Sequence, residues 1–310
     1  MRIIFLGTPQ FAVKPLESIY QSRHEAVAVV TQPDRAKGRG KKVQPSPIKL
    51  FAQERGLEVL QFERIKEPAA IDKLRSYQAD IMVSCAYGQI FSQEILELTP
   101  HGIINIHASL LPKYRGSSPV QWALINGETQ VGITTMKTVM EVDKGDMILQ
   151  KAIELEGWED SQDTLDKLSP IGAELIVKTL DLIENGTAKF IKQDENKATY
   201  CKMLRKEDGK IDFNKSAKEL VNFIRGMNPW PSSYINTQYG ILKILQAEVT
   251  DFEDQNYLHG EVVVSSDKKG LIIKCGEGFL NIKRVQGQGG KEMDIKDYLR
   301  GKKIEKGIVL

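Results

Sequence analysis

The sequence predicts an α/β protein with a doubly wound, mostly parallel, Rossmann-like sheet, followed by an OB-like β-barrel domain. Three observations carry this. Across the first half, short apolar runs alternate with segments of helical periodicity. Those runs are apolar at every position rather than at every second one, so both faces must be covered, as in a parallel sheet between helix layers. Beyond Lys206 the texture changes to short, Gly-punctuated β-like runs, the pattern of a small antiparallel barrel.

The elements follow in order. Ile3-Ile4-Phe5-Leu6 reads as a buried strand, and Phe11 to Ser22 as a helix. Ala26 to Val30 is a second strand; a basic loop and a helix from Ser46 to Arg55 come next. Glu58-Val59-Leu60 is a short strand, Glu67 to Tyr77 a helix, and Asp80 to Ser84 another fully apolar strand. Gly102 to Ile106 is the next strand, followed by a helix from Pro119 to Ile125. Gly132 to Met136 and Met147 to Gln150 suggest an antiparallel extension, and the long periodic stretch Thr164 to Ile183 closes the domain. Glu184-Asn185-Gly186-Thr187 stops that helix, and the polar, weakly periodic Lys192 to Lys206 suits a linker. The last part holds a helix, Ala217 to Gly226, and five β-like runs: Ser233–Ile235, Leu242–Val249, Gly260–Val264, Leu271–Cys275 and Phe279–Val285. The expected division is 1–189 for the first domain, 190–206 for the linker and 207–310 for the C-terminal domain.

A chain of 310 residues with 41% hydrophobic and 27% charged residues is ordinary for a two-domain globular protein. The net charge of +2 names no partner. Its distribution is more informative. Residues 34–49 carry six Lys/Arg (Arg35, Lys37, Arg39, Lys41, Lys42, Lys49) against Asp34 alone, and 190–206 carry five against two. Three widely spaced cysteines, Cys85, Cys201 and Cys275, form no Cys-x-x-Cys pair and read as buried free thiols of a reducing compartment. The opening apolar run is too short for a signal peptide, and no stretch reaches the ~20 apolar residues of a spanning helix. A cytoplasmic protein, off the membrane, is expected; no apolar stripe demands a second copy, so a monomer is expected too.

The densest chemical signal lies at residues 105–116, Asn-Ile-His-Ala-Ser-Leu-Leu-Pro-Lys-Tyr-Arg-Gly. Asn105 and His107 end a strand two positions apart, so both side chains face one way. Open α/β sheets bind ligands at such strand ends. Alone, Asn105 suits a strand terminus, His107 a satisfied core histidine, and Asp143 a turn. An amide and an imidazole sharing one face, before a Pro/Gly-punctuated loop, instead point to a reaction centre.

That run resembles the motif Asn-x-His-x-Ser-Leu-Leu-Pro-x-x-Arg-Gly of enzymes that use 10-formyltetrahydrofolate. Thr31-Gln32-Pro33-Asp34-Arg35, Gly38-Arg39-Gly40-Lys41-Lys42 and Ser46-Pro47-Ile48-Lys49 narrow the resemblance to the methionyl-tRNA formyltransferases, as do Asn228-Pro229-Trp230-Pro231 and Gly289-Gly290-Lys291. The likeness spans nearly the whole chain. It implies formyl transfer from 10-formyltetrahydrofolate to the amino group of initiator methionyl-tRNA, with no metal. It implies catalysis by Asn105, His107 and Asp143, the last in Val142-Asp143-Lys144-Gly145-Asp146. Asn105 would donate its amide hydrogens to the developing oxyanion. His107 would stabilise that oxygen when charged, pass a proton to the folate nitrogen, or accept one from the amine. Asp143 would hold the imidazole, with Asp146 a neighbouring candidate.

By the same resemblance Ser109, Leu110, Leu111 and Pro112 contact the folate. Tyr87, in Ala86-Tyr87-Gly88-Gln89-Ile90, is either a pocket wall or a half-buried aromatic. Arg35, Lys37, Arg39, Lys41 and Lys42 would meet tRNA phosphate, Arg39 foremost; the competing reading is a solvated surface turn. The basic 192–206 stretch and the tail from Arg300 to Lys306 would line an RNA-facing side of the C-terminal domain.

Other classes fit poorly. Gly7-Thr8-Pro9-Gln10-Phe11-Ala12 lacks the Gly-x-Gly-x-x-Gly of dinucleotide binders, no Gly-x-Ser-x-Gly elbow or P-loop is present, and the four histidines lack metal-ligand spacing. Two rivals remain: a sugar-nucleotide formyltransferase, which has no use for the basic loop, and a non-catalytic RNA binder, which has no use for the Asn105–His107–Asp143 set.

Overall fold

The computed structural model describes residues 1–37, 42–252 and 256–310. Its strands and helices, in chain order, are β1 (Arg2–Gly7), α1 (Val13–Gln21), β2 (Glu25–Thr31), β3 (Arg35–Lys37), β4 (Lys42–Gln44), α2 (Pro47–Glu54), β5 (Val59–Gln61), α3 (Pro68–Arg75), β6 (Ile81–Cys85), α4 (Gln93–Leu96), β7 (Ile103–His107), β8 (Arg115–Gly116), α5 (Pro119–Ile125), β9 (Gln130–Lys137), β10 (Met147–Glu154) and α6 (Ser161–Glu184). There follow β11 (Tyr200–Cys201), α7 (Ala217–Met227), β12 (Ser233–Thr237), β13 (Gly240–Thr250), β14 (Val262–Ser266), β15 (Gly270–Lys274), β16 (Phe279–Gly287), β17 (Glu292–Asp294) and α8 (Ile295–Gly301).

The chain divides into two compact units. One comprises 1–116, 130–153 and 165–200; the other comprises 117–129, 154–164 and 201–310. The first unit holds a seven-stranded sheet in the order β10-β9-β7-β6-β1-β2-β5. β1 runs parallel to β2 and β6, β2 to β5 and β6 to β7, while β9 pairs antiparallel with β7, as the expected extension requires. Ile4 and Leu6 of β1 enter one hydrophobic cluster with Ala28, Val30, Met82 and Ile103. Ile3 and Phe5 point the other way and are equally inaccessible. Burial on both faces is why these strands read as unbroken apolar runs.

Local chemistry sets the helix starts. Ser46 precedes α2 and accepts from Lys49 N (3.1 Å), with Pro47 in the first turn. Pro68 and Pro119 likewise stand in the first turns of α3 and α5, which lack a side-chain cap. Ser216 and Glu219 form a reciprocal capping box on α7.

The second unit carries a six-stranded antiparallel sheet, β12-β13-β16-β15-β14 with β17 on β16. Its core gathers Leu220 and Ile224 of α7 with Leu242, Ile244, Leu271, Ile273, Leu280 and Ile282. α5 packs on α7, and Gly226 makes this possible: a Cβ there would lie 2.6 Å from Gln121 O and from Ile125 Cγ1.

Several short elements were not anticipated, α4, β8 and β11 among them. β3 and β4 pair as a hairpin, Arg35↔Gln44 to Lys37↔Lys42, where the sequence reads as a loop. β17 and α8 follow Gly289-Gly290, where only a basic tail stood out. The three cysteines are free and buried. No helix among the described residues is long and apolar enough to cross a membrane.

Candidate active site

β1, β2, β6 and β7 end side by side at Gly7, Thr31, Cys85 and His107. Loop residues tie this edge together. Thr8 Oγ1 and Gln32 Nε2 both donate to Tyr87 O (3.1 Å each), and Gln61 Nε2 donates to Gln32 O (3.0 Å). Asn105 and His107 project from β7 on one face, as period two demands.

The structure brings Asn105, His107 and Asp143 together. Asp143 Oδ1 lies 3.5 Å from Asn105 Nδ2 and 3.6 Å from His107 Nδ1. Its other oxygen, Oδ2, accepts from Gly116 N at 2.8 Å. The carboxylate is thus fixed by one backbone donor while its second oxygen faces the amide and the ring. Asn105 Oδ1 accepts from Ser84 Oγ at 2.7 Å. Ser84 sits opposite Asn105 in the parallel β6–β7 register, which places its hydroxyl there. The amide oxygen is therefore used internally, and its nitrogen faces Asp143.

His107 is buried, and its Nε2 lies 2.9 Å from Tyr114 O. A carbonyl only accepts, so Nε2 carries a hydrogen in this contact. Nδ1 is then the nitrogen able to gain and lose a proton, and it is the one beside Asp143. Two residues that frame the ring are held in left-handed backbone: Tyr114 at φ 61° and Asp143 at φ 52°. Ala86, after β6, is a third such residue at this edge (φ 50°). Non-glycine residues keep such conformations where surrounding contacts over-determine them, commonly at working sites.

The Ser109–Pro112 turn is pinned from beneath. Buried Thr134 donates to Ser109 O (2.7 Å) and accepts from Leu111 N (3.2 Å) and Gln150 Nε2 (2.8 Å). Ser109 Oγ donates to Lys113 O (2.7 Å), Leu111 is buried, and Leu110 and Pro112 are half-buried. Leu110 lies over Gly132, where a Cβ would come within 2.5 Å of Leu110 Cδ2. Tyr87 sits in the hydrophobic cluster, stacked on Phe91 with centroids 6.0 Å apart, and its hydroxyl is buried without a partner. Burial drives that phenol's pKa upward.

Arg35 is exposed and meets Glu63 at 3.2 Å. Lys37 and Lys42 pair in the backbone of the β3–β4 hairpin, and Arg39 and Lys41 lie outside the described residues. Lys49 is engaged by Asp34 (2.6 Å) and Gln61 (2.8 Å), so it is not a free cation of that stretch.

Sequence reasoning missed Ser84 and the network behind Asp143. Arg115, fully buried, donates from Nε to Gln193 Oε1 (2.9 Å) and bidentately to Glu195 (3.1 and 3.0 Å). Gln193 Nε2 in turn donates to the carbonyls of Asp143 and Gly145, both at 2.8 Å. Only the parallel register pairs Ser84 with Asn105, and Gln193 lies in a stretch that reads as linker.

One trio among the described residues has metal-like spacing, His24, Asp181 and Glu184. Cations already hold its carboxylates: Arg23 meets Asp181 at 2.8 Å and Glu184 at 2.6 Å, and Met1 N lies 3.0 Å from Glu184. A separate concavity of about 770 Å³ adjoins the start of β7, lined by residues such as Leu96, Thr99, Lys137 and Met140, and contains none of the Asn105 cluster.

Comparison with known proteins places the chain in a family. Residues 1–180 match the formyl transferase family model and residues 203–303 that of the formyl transferase C-terminal domain. The chain belongs to the formyl transferase family. It is 45% identical over 314 residues to a methionyl-tRNA formyltransferase of Lachnospira eligens, covering 100% of this chain and 99% of that one. It is 43% identical over 311 residues to a methionyl-tRNA formyltransferase of Caldanaerobacter subterraneus subsp. tengcongensis, covering 100% of both. Among solved structures, the sugar 3N-formyl transferase WlaRD, crystallised with dTDP and 5-N-formyl-THF, shares the fold with a TM-score of 0.68. It is 22% identical and covers 94% of this chain and 99% of its own.

Proposed function

We propose that this protein transfers the formyl group of 10-formyltetrahydrofolate to the amino group of methionine on initiator methionyl-tRNA, giving N-formylmethionyl-tRNA for translation initiation. It works as a cytoplasmic monomer. The observation that carries the reading is the convergence of Asn105 Nδ2 and His107 Nδ1 on one oxygen of Asp143, at the end of β7. Full-length relatives at 45% and 43% identity, both named methionyl-tRNA formyltransferase, support the choice of acceptor.

The chemistry follows from donors and acceptors. The neutral amine attacks the formyl carbon, a C–N bond forms, and the carbonyl oxygen gains negative charge. The Asn105 amide, oriented by Ser84, donates to that oxygen; preorganised donors of this kind lower the barrier because they need no reorganisation. The amine must lose a proton, and the folate nitrogen must gain one as its bond to carbon breaks. His107 Nδ1 and the Asp143 carboxylate are the groups placed to move it. Nε2 stays anchored on Tyr114 O, so the ring does not turn during the transfer. Ser109, Leu110, Leu111 and Pro112 form the folate-facing turn, with Tyr87 behind the same edge.

Arg35, Lys37, Arg39, Lys41 and Lys42 serve as the tRNA-facing cations, and residues 207–310 add an RNA-binding surface. Clustered cations suit phosphate contact without sequence readout. The deciding experiment offers the enzyme 10-formyltetrahydrofolate with either charged initiator tRNA or a 4-amino sugar nucleotide. Formylation of the methionine amine is expected. Formylation of the sugar amine alone would overturn the reading in favour of a sugar-nucleotide formyltransferase, and formylation of neither would remove the enzyme class.

A further inference from the structure

The segment after Ile191 is stitched along the back of the reaction centre. Ile191 exchanges both backbone hydrogen bonds with Met147 (2.9 and 2.8 Å). Thr199 Oγ1 accepts from Tyr114 N (2.8 Å), and Thr199 O accepts from Arg115 N (2.8 Å). Between these anchors Gln193 reaches the Asp143 loop. Its single amide group satisfies the carbonyls on either side of Lys144, those of Asp143 and Gly145. Its oxygen is held by Arg115 Nε, whose guanidinium is locked by Glu195 and by Tyr200 Oη (2.9 Å).

We propose that Gln193 is a positioning residue that keeps the Asp143 carboxylate against His107 and Asn105, with Arg115 holding Gln193 in turn. The inference rests on the catalytic reading given above. The physical need is specific. Asp143 occupies left-handed backbone (φ 52°), a conformation that Asp adopts more readily than most non-glycine residues but that surrounding contacts must still favour over right-handed backbone. Gly116 N holds only the carboxylate end, by Oδ2. Gln193 donates to the main chain of the loop at two points beside Asp143, while the backbone bonds Lys144 N to Glu141 O (3.4 Å) and Lys137 N to Asp146 O (2.9 Å) hold its ends. Without the Gln193 bonds the backbone can relax toward right-handed φ, which swings the carboxylate off the ring.

Such a residue touches no reacting atom, so its loss should lower kcat and spare binding. The test compares Gln193→Met, which keeps length and removes the amide, with Asp143→Asn, whose side chain tolerates left-handed backbone, and with the double variant. The assay is formylation of charged initiator tRNA. Gln193→Met should lose roughly 10–100-fold in kcat, the usual effect of removing a partner behind a working group, with KM for donor and tRNA within about twofold. In the double variant it should add almost nothing to the loss caused by Asp143→Asn, because both act through one carboxylate. Additive losses, a loss confined to KM, or normal turnover by Gln193→Met beside an inactive Asp143→Asn would each overturn the positioning role and leave the catalytic reading standing. Normal turnover by Asp143→Asn would overturn both. Should Gln193→Met not fold, Gln193→Glu takes its place. It retains the acceptor for Arg115 and loses the two amide donors, and the same losses and non-additivity are expected.

Discussion

Replacing Asn105 by Ala is the sharpest perturbation of the proposed site, because the structure separates its effect on rate from its effect on stability. The Asn105 oxygen is occupied by Ser84 Oγ at 2.7 Å, whereas the amide nitrogen meets Asp143 only at 3.5 Å, the long limit of a hydrogen bond. The N–H groups are thus the part free to serve a developing oxyanion. Removing one preorganised donor costs about 10²–10³ in kcat, or roughly 2.7–4 kcal/mol of barrier. The stability cost has two sources. One lost hydrogen bond is about 1 kcal/mol, and the Ser84 hydroxyl left buried without an acceptor adds about 1–3 kcal/mol. A native state of about 5–15 kcal/mol survives that. Ser84→Ala leaves the amide but frees its orientation, so an intermediate loss of roughly tenfold is expected. The assay is formylation of charged initiator tRNA at saturating donor, with urea unfolding in parallel. An Asn105→Ala enzyme that unfolds cooperatively and turns over within about threefold of the parent would refute oxyanion stabilisation by this amide.

Other outcomes test other parts of the molecule. Gly226→Ala should destabilise by about 1–3 kcal/mol despite the better helix propensity of Ala, because its Cβ would press on the backbone of α5; a raised urea midpoint would contradict that packing. Glu174, hydrogen-bonded first by Lys151 and then by Lys178, has its pKa lowered from 4.5 to about 2. A carboxylate depressed in the folded state contributes stability that is fully present above 4.5 and lost as pH falls toward about 2. The difference between parent and Glu174→Gln should therefore close over that window, and one that persists unchanged at the acid end would disprove the pairing. Arg39→Ala should weaken tRNA use more than donor binding and flatten the dependence of log affinity on log salt by roughly 0.7–0.9. Unchanged tRNA kinetics and slope would leave the basic stretch as a plain surface turn.

Much of the fold was legible because the signals are local. Unbroken apolar strands announce two-sided burial, and Ser46-Pro47, Pro68, Pro119 and the Ser216–Glu219 pair mark helix starts by chemistry within one turn. The β3–β4 hairpin was less legible, since its three-residue strands are rich in charge and carry no apolar alternation. β17 and α8 were hidden for a similar reason: Glu292 and Asp294 flank a single apolar residue, and Lys296, Asp297 and Arg300 interrupt the apolar pattern of α8.

The same division runs through the site. The sequence by itself determined that Asn105 and His107 share a face, since that follows from the pleat of one strand. It also carried the motif that points to formyl transfer. Only the tertiary structure decided what stands around them. Ser84 meets Asn105 through inter-strand register, and Asp143 arrives from 36 positions beyond His107 on a loop with left-handed backbone. Gln193 closes that loop from a stretch that reads as linker. Likewise 117–129 and 154–164 join 201–310 in one compact unit, which no local pattern announces. The physical reason is range. Pleat, helix period and capping act over a few residues and are written in adjacent letters. Register, buried ion pairs and loop closure join residues far apart in the chain, and their partners are fixed only once the whole core has packed.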